Sequence, residues 1–504
     1  MDLYKLILFY FVKMNKSVSV FWFKRDLRLH DNEALQKAIQ SSFPVLLIYI
    51  FEPSLENDPH YDKRHFRFIQ QSLNDLNQSL YKYNTQILAL EREAVDAFTY
   101  LSDYFNIKEL YSHVETGLAI TRERDQSVQQ FCTANGISWK EYQNNGVHRF
   151  RENRDQWKEQ WYEYMHRPQI NFKAKREDFV SKNYLLQLNL RSVQKEIEKD
   201  TYFQPGGRSI ALQYANSFFS ERIVNYNNDI SKPGPARKSC SRLSPYFAWG
   251  NLSAREIYQY AKKLQTSKQK VKNKKIGRDL TSLLSRLRWQ SHFIQKFEQE
   301  PAMQFRPVNR AYRDLWPYNE KYITAWENGQ TGYPLIDAAM RCVSATGYIN
   351  FRMRACVVSF FCHHLFQAFW HGSAFLARQF LDFEPGIHYP QFNMQAGVTG
   401  INTIRVYNPS LNAQKHDADA QFIKKWVPEL SGLSVNHAIE PWTMTAMEEK
   451  FYNFKLGHDY PRPIVDVKQT RKLALDKLYA VRKKHVAQYE SLRILERHTN
   501  AERD

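Results

Sequence analysis

The hydrophobic pattern of this 504-residue chain changes part way along, and that change limits the folds it can adopt. In the first part, helical patterns such as Asn32–Ile39 alternate with apolar, β-rich runs at Val18–Phe23, Val45–Phe51, Gln86–Leu90 and Glu109–His113. Nearly continuous apolar strands between helices are typical of a parallel sheet covered on both faces. From Gly206 onward, apolar residues recur at helical spacing. The pattern therefore predicts an α/β part followed by an all-α part.

A chain of this length is expected to form two or more domains. We predict an α/β domain with a doubly wound parallel sheet at residues 17–140 and an all-α domain at residues 206–490. Residues 141–205 are polar and irregular and are expected to connect the two domains. Residues 1–16 are predicted to be a disordered extension, with translation starting at Met14, and residues 491–504 a charged tail.

The composition restricts the partners and the location of the protein. The formal charge of +19 favours anionic partners such as nucleic acid, although a generally basic soluble protein has the same balance. Five cysteines are scattered and form no CxxC pair, so neither a disulfide framework nor a metal site is predicted. The apolar run Leu6–Val12 is too short to span a bilayer. We expect a cytoplasmic monomer.

Two turns carry polar groups that suit a ligand. Residues 239–246, SCSRLSPY, place hydroxyls and backbone N–H groups at a helix start. Helix N-termini attract phosphate, but an ordinary N-cap role for Ser241 or Ser244 explains the same residues. Lys24 and Arg25 follow the first strand, at the edge where doubly wound sheets bind ligands. A salt-bridged strand–helix turn is the alternative there.

Arg352 and Arg354 are separated by one residue on a mostly apolar helix, so their side chains diverge and only one can face inward. A buried arginine needs an anionic partner. Asp382 and Glu384 are the candidates. A structural salt bridge and a cofactor-binding pair are equally consistent with these residues.

Several segments resemble the photolyase/cryptochrome family and occur in its order from about Ser17 to residue 480. They are WFKRDLRLHDNEAL from Trp22, CSRLSPYFAWGNLSAREI from Cys240, TGYPLIDAAMRCVSATGYINFRMR from Thr331, LDFE from Leu381, and YNP with FIKKWVPEL in residues 407–430. The resemblance implies an α/β domain followed by an all-α domain that binds FAD. It also allows an antenna chromophore of folate or deazaflavin type. His113–Gly117 is a candidate place for that pigment, or an ordinary strand–loop junction.

The resemblance assigns FAD-binding roles to two groups of residues. Those expected near the phosphates and ribitol are Tyr226, Cys240, Ser241, Arg242, Leu243 and Ser244. Those expected near the isoalloxazine ring are Arg354, Asp382, Phe383, Glu384 and His388. His388 stands where family members have Asn, Asp or Cys facing flavin N5. Either it takes that role, or the turn is rebuilt and its ring points elsewhere.

The implied activity is light-driven repair of damaged DNA, in which reduced FAD passes an electron to a flipped-out pyrimidine dimer that then splits. The expected substrate-side residues are Arg286, Trp289, Phe351, Met394 and Asn412. Arg286 stands where a glutamate is common, Phe351 where an asparagine is common, and Met394 near a second tryptophan position. These departures leave a blue-light receptor that signals through a protein partner as the alternative.

Trp316 and Trp370 are the expected electron carriers to the flavin. The family's tryptophan relay is incomplete, because its middle and inner positions fall on Phe369 and Phe392. The residues that could substitute are Trp370, Tyr348, Tyr389 and Tyr407. The sequence therefore predicts slow or rerouted photoreduction.

Overall fold

The structure is a computed structural model that describes residues 16–196, 202–267 and 274–499. Within these ranges the chain forms two compact units. The first contains the residues up to His148 with Gln160–Tyr214 and Leu243–Lys263, and the second contains Arg149–Glu159, Ala215–Arg242 and the residues from Leu264 onward. The extension predicted at residues 1–16 lies outside the described residues, apart from Lys16.

A parallel sheet forms the centre of the first unit. Its strands are β1 (Ser17–Phe23), β2 (Val45–Phe51), β3 (Leu88–Glu91), β4 (Asn106–His113) and β5 (Ser138–Tyr142). The strand order is β3-β2-β1-β4-β5, so the chain winds outward from β1 in both directions. Apolar side chains of β1, β2 and β4 are buried, as expected for central strands. The predicted doubly wound sheet is confirmed.

The other main elements of the described chain are α-helices. They are α1 (Glu33–Ile39), α2 (Pro53–Glu56), α3 (Lys63–Leu80), α4 (Ala94–Ser102), α5 (Ala119–Ala134), α6 (Trp157–His166), α7 (Lys182–Gln187), α8 (Arg208–Ser220), α9 (Tyr226–Asp229), α10 (Ala236–Ser239), α11 (Ser244–Ala248), α12 (Ala254–Thr266), α13 (Lys274–Gln299), α14 (Glu320–Glu327), α15 (Pro334–Thr346), α16 (Phe351–Ser359), α17 (Phe369–Gln379), α18 (Pro385–Gln395), α19 (Pro409–His416), α20 (Gln421–Trp426), α21 (Val435–Ile439), α22 (Ala446–Phe451), α23 (Val467–Arg482) and α24 (His485–His498). A π-helical turn, Phe360–His364, follows α16. Within its described residues, the named elements of the second unit are all helical, as predicted.

Strand β5 was not among the predicted strands. Its sequence SWKEY is polar and only half-buried because it lies at the edge of the sheet. The strand therefore lacks the apolar run by which the other strands are recognised, and it extends past the boundary predicted at residue 140.

Much of the segment predicted to connect the domains packs against the sheet of the first unit. The Val180 N–H donates to the Val45 carbonyl over 3.0 Å, and the Thr85 hydroxyl donates to the Val180 carbonyl over 2.9 Å. Leu185 and Leu190 are buried in the same core as the strands. These contacts correct the prediction that residues 141–205 only link two domains.

The last helix also extends beyond the predicted end of the all-α domain near residue 490. Helix α24 continues to His498, whose Nε2 lies 2.9 Å from Glu300 Oε2. Arg493 on the same helix donates to Glu300 Oε1 over 3.0 Å. Residues 491–498 are therefore part of the folded unit, and the predicted tail is shorter.

Helices α13 and α18 approach closely at one glycine. A Cβ built on Gly386 would lie 2.8 Å from the Ile294 Cα, which is closer than real side chains allow. The contact brings α13 against the start of α18, the helix that carries His388. This packing sets the position of several predicted site residues.

Candidate functional site

Arg354 and Asp382 form a two-point ion pair in the second unit. Arg354 Nη2 lies 2.8 Å and 3.0 Å from the two carboxylate oxygens, and its Nε donates to the Ile349 carbonyl over 3.0 Å. The Asp382 side chain is only 5% exposed, whereas that of Arg354 is 31% exposed. The guanidinium lies 4.0 Å from the centre of the Phe380 ring. A buried carboxylate thus holds a flat cation with part of its surface open.

The two acids of the LDFE segment have separate roles. Asp382 pairs with Arg354, whereas Glu384 caps helix α18 and accepts a hydrogen bond from the Gly386 N–H over 3.3 Å. The predicted divergence of the arginines is confirmed, because Arg352 points elsewhere and donates to the Tyr407 hydroxyl over 3.2 Å. Arg354 is therefore the inward arginine of the pair.

His388 is buried among aromatic rings near this ion pair. Its Nε2 donates to the Ser373 carbonyl over 2.8 Å, which fixes the ring in one orientation. The ring lies 4.7 Å from Phe392 and 5.3 Å from Phe383, centre to centre, and 6.2 Å from Phe380, which contacts Arg354. A neutral ring that carries its proton on Nε2 can only accept a hydrogen bond at Nδ1.

Hydrogen bonds from Arg222 support the turn at Cys240–Arg242. Arg222 donates to the Cys240 carbonyl, and to the Lys238 carbonyl over 3.1 Å. Arg242 has left-handed backbone geometry (φ +60°), which is uncommon for a residue other than glycine. Burial raises the pKa of the Cys240 thiol to about 12, so the thiol stays neutral.

Tyr348 brings this turn together with the ion pair. The Arg242 guanidinium lies 3.7 Å from the centre of the Tyr348 ring, and the Arg354 guanidinium lies 5.9 Å from it. Burial raises the pKa of Tyr348 to about 12, so this ring is a neutral spacer between two cations. The sequence suggested Tyr348 only as an electron carrier. Its position directly after the helix-ending Gly347 was the available signal for a site residue.

Leu243 and Ser244 belong to the first unit, where Leu243 is the N-cap residue of α11 and Ser244 its first residue. The Leu243 side chain makes no capping hydrogen bond. The alternative that Ser241 or Ser244 is the N-cap is therefore wrong, because Leu243 occupies that position.

An exposed aromatic and cationic surface lies on the substrate-side residues of the second unit. Trp289 is 50% exposed and Phe351 is 42% exposed. The Arg286 guanidinium lies 4.9 Å from the centre of the ring of Phe351. Phe351 is the first residue of α16, the helix that carries Arg354.

Met394 and Asn412 lie on other helices. Met394 is near the end of α18 and is half-buried. Asn412 is on α19, and its side-chain amide donates to the Asn408 carbonyl over 2.8 Å. The Asn412 amide is thus partly engaged within its own helix.

The tryptophans expected to carry electrons are in contact. The Trp316 and Trp370 ring centres are 5.8 Å apart at an interplanar angle of 89°. Further ring contacts lead from Trp370 to Phe369 over 5.2 Å, from Phe369 to Phe392 over 6.4 Å, and from Phe392 to His388 over 4.7 Å. A continuous line of rings therefore runs from Trp316 to the surroundings of Arg354, although phenylalanines occupy its middle.

These side chains fit a flavin nucleotide. The cations Arg242 and Arg354 flank one aromatic ring, and the Arg354 guanidinium keeps an open face beside the buried Asp382. A pyrophosphate suits the first cation and a flat polar ring system the second. Arg354 and Asp382 would hold the isoalloxazine, and Arg242 with the Cys240–Ser241 turn would hold the phosphates.

A cluster of ion pairs lies at the carboxyl edge of the sheet in the first unit. Arg124 contacts Glu52 over 2.9 Å, Glu115 over 2.8 Å and Asp125 over 2.8 Å, and all four side chains are buried. Of the candidate pigment segment His113–Gly117, these ion pairs involve Glu115. An antenna chromophore finds no open surface on these four side chains and stays a prediction.

Comparison with known proteins supports the same cofactor. Residues 283–480 match the family model described as the FAD binding domain of DNA photolyase, and residues 19–165 match the one described as DNA photolyase. A cryptochrome DASH of Synechocystis sp. is 26% identical, covering 89% of this chain and 95% of the relative. A deoxyribodipyrimidine photo-lyase of Alkalihalophilus pseudofirmus is 23% identical, covering 91% of this chain and 97% of the relative. The solved structure of a Synechocystis cryptochrome superposes with a TM-score of 0.80 at 23% identity, covering 91% of this chain and 99% of that one.

The fold and the site define a flavoprotein in which an α/β domain precedes a helical FAD-binding domain. The chain belongs to the photolyase/cryptochrome family. No described helix of the chain is both long and apolar enough to cross a membrane.

Proposed function

We propose that this protein is a light-driven DNA repair enzyme that splits ultraviolet-induced pyrimidine dimers. The observation that carries the proposal is the exposed surface of Trp289 and Phe351, with the Arg286 guanidinium 4.9 Å from the centre of the Phe351 ring. Aromatic rings beside a cation suit an extruded, damaged base pair. The net charge of +19 favours contact with DNA phosphates.

Each residue of this surface has a distinct role in the proposal. Trp289 offers a face on which a pyrimidine stacks, and Phe351 forms a second apolar wall. The Arg286 guanidinium donates hydrogen bonds to pyrimidine carbonyl oxygens, where a glutamate would accept them from N–H groups. Reduced FAD would supply the electron that opens the dimer. Arg354, held by Asp382, would orient the flavin ring toward this surface.

A blue-light receptor is the second candidate, and the departures of the substrate-side residues from the family pattern favour it. Phe351 and the half-buried Met394 stand where an asparagine and a tryptophan are common in the family, and Arg286 offers different hydrogen bonds from a glutamate. Relatives named cryptochrome occur beside relatives named photo-lyase. A receptor would keep the FAD site but bind no lesion.

The test is repair of DNA that carries one defined lesion, either a cyclobutane dimer or a (6–4) photoproduct, in single- or double-stranded form. The protein is reduced, mixed with each DNA and illuminated, and restored thymines are counted by chromatography, with a dark reaction as blank. Repair of one lesion by the wild type, with strong loss in Trp289→Ala, supports the enzyme. Tyr318→Ala serves as the control because Tyr318 is also an exposed aromatic residue of the second unit.

Absence of repair for both lesions on both strand forms contradicts the enzyme. If illumination then also changes the shape or the binding partners of the FAD-loaded protein, a receptor function replaces DNA repair as the proposal. The monomeric state and the cytoplasmic location stay predictions, which analytical ultracentrifugation and cell fractionation can check.

A further inference from the structure

A short loop of the second unit runs along helix α13 and is fixed to it. The loop comprises residues 149–156, which precede α6. The side chain of Gln299 donates to the Asn153 carbonyl over 3.3 Å, and Arg154 Nη2 donates to the His292 carbonyl over 3.0 Å. Arg154 is buried, so it anchors the loop rather than facing solvent.

Phe150 protrudes from this loop. Its residue surface is 94% exposed, and its backbone is left-handed with φ +61°. A bulky residue rarely adopts this conformation, and an apolar ring gains nothing from full contact with water. Arg149 and Arg151 flank it on either side. Packing against the described residues therefore does not account for the position of the Phe150 ring.

The loop lies beside the proposed lesion-binding surface. The Trp157 ring, just after the loop, lies 5.7 Å from the His292 ring, centre to centre, and His292 lies 5.3 Å from Trp289. Trp289 and His292 are neighbours on α13, one turn apart. The protruding Phe150 and the half-exposed Trp289 are thus carried by elements in direct contact.

We propose that Phe150 is a wedge that enters duplex DNA beside the extruded lesion. The proposal rests on the proposed function, because it needs a flipped-out dimer. Extrusion leaves a gap in the base stack, and apolar side chains inserted into such gaps replace the lost stacking. Phe150 is a positioning residue that keeps the duplex open and does not touch the reacting atoms.

Strand form provides the decisive comparison, because a single strand has no gap to fill. We expect Phe150→Ala to weaken binding to duplex DNA containing one dimer by roughly tenfold, while binding to the same dimer in a single strand changes by less than about twofold. 2-Aminopurine placed opposite the lesion should brighten with the wild type and much less with Phe150→Ala. Phe150→Leu, which keeps an apolar side chain, should restore most of the duplex binding.

Phe451→Ala is the matched control, since Phe451 is 81% exposed in the same unit. It should leave both strand forms unchanged. Wild-type duplex binding and 2-aminopurine signal in Phe150→Ala would overturn the wedge while leaving the proposed function intact. A wild type that acts only on single strands would overturn it as well. A wild type that binds neither form would overturn the proposed function and the wedge together.

Discussion

The Arg354–Asp382 ion pair is the residue-level feature on which flavin binding should depend most. Asp382→Asn keeps the size of the side chain but removes the charge that holds the guanidinium. Without this charge, Arg354 loses its anionic partner. Its guanidinium is then no longer held in place to contact the isoalloxazine ring. We expect FAD affinity to fall by roughly tenfold or more. Flavin absorbance after gel filtration and equilibrium titration of apoprotein measure the change.

Arg341→Met is the control for this prediction. Arg341 donates to Glu429 over 2.7 Å in the same unit, and both side chains are about one quarter exposed. Loss of that pair should leave FAD affinity within about twofold of the wild type, because partly exposed pairs contribute little. Equal FAD loss in both variants would show that the effect of Asp382→Asn is one of general stability.

Trp370 should be required for photoreduction of the flavin. It contacts Trp316 over 5.8 Å and leads through Phe369 toward His388. Phenylalanine is much harder to oxidise than tryptophan, so Trp370→Phe leaves Trp316 separated from the flavin by rings that carry no charge. We expect flash-induced reduction of oxidised FAD to slow by at least about tenfold. This change in rate corresponds to an activation free energy that is higher by roughly 1.4 kcal/mol.

Trp426→Phe is the matched substitution for the photoreduction test. Its indole N–H, like that of Trp316, has no hydrogen-bond partner within the described chain, so phenylalanine costs no hydrogen bond there. Flash-induced reduction in this variant should equal that of the wild type. Unchanged reduction in Trp370→Phe would reject the role of Trp370 and direct attention to Tyr348 or Tyr407.

At the scale of elements, adding one methyl group at the contact between α13 and α18 should lower the stability of the protein. Gly386→Ala places a Cβ 2.8 Å from the backbone of Ile294, so the helices must separate. Overpacking of this kind costs about 1–3 kcal/mol. Because α18 also carries His388, we expect a lower midpoint of thermal unfolding and a shifted flavin spectrum.

Gly277→Ala tests whether the helix contact is the cause. Gly277 lies on α13, and a Cβ there meets nothing within 4 Å. Alanine favours a helix over glycine by up to about 1 kcal/mol, so this variant should be neutral or slightly more stable. Equal loss of stability in both variants would contradict the argument from close approach.

The sequence predicted the secondary-structure elements better than the tertiary contacts between them. Local spacing alone predicted the central strands and the divergence of Arg352 and Arg354, since both follow from helix and strand periodicity. Strand β5 was missed because an edge strand does not need an apolar run. The stacking of Arg242 on Tyr348 and the contact of Trp316 with Trp370 join residues far apart in the chain. Such contacts depend on tertiary packing, which no local pattern encodes.

At the scale of the whole molecule, the two units should respond to acid in opposite ways. In the first unit, burial raises the pKa of Glu52 to about 7, because Arg124 is shared among three carboxylates and does not offset it. The folded state therefore binds a proton more readily than the unfolded state, whose Glu52 has its ordinary pKa. This contribution to stability is present at low pH and is lost as pH rises through about 7.

In the second unit, two buried imidazoles give stability a pH dependence of the opposite sign. Burial lowers the pKa of His363 and of His364 to about 4, and both rings donate to backbone carbonyls, of Ala396 and Tyr407 respectively. The unfolded state then binds more protons between pH 6.5 and pH 4. The stability that these residues contribute is present above pH 6.5 and falls as the pH drops toward 4.

We therefore expect calorimetric unfolding to change in opposite directions between pH 7.5 and pH 5.5. The transition of the second unit, identified by FAD release, should move to lower temperature on acidification, and that of the first unit should hold or rise. Glu52→Gln, which mimics the protonated carboxyl, should remove the pH response of the first transition without altering that of the second. His364→Gln removes one titrating group and should flatten the response of the second transition, at the cost of a lower midpoint at neutral pH. Parallel shifts of both transitions in the wild type, or an unchanged pH response in both variants, would contradict these assignments.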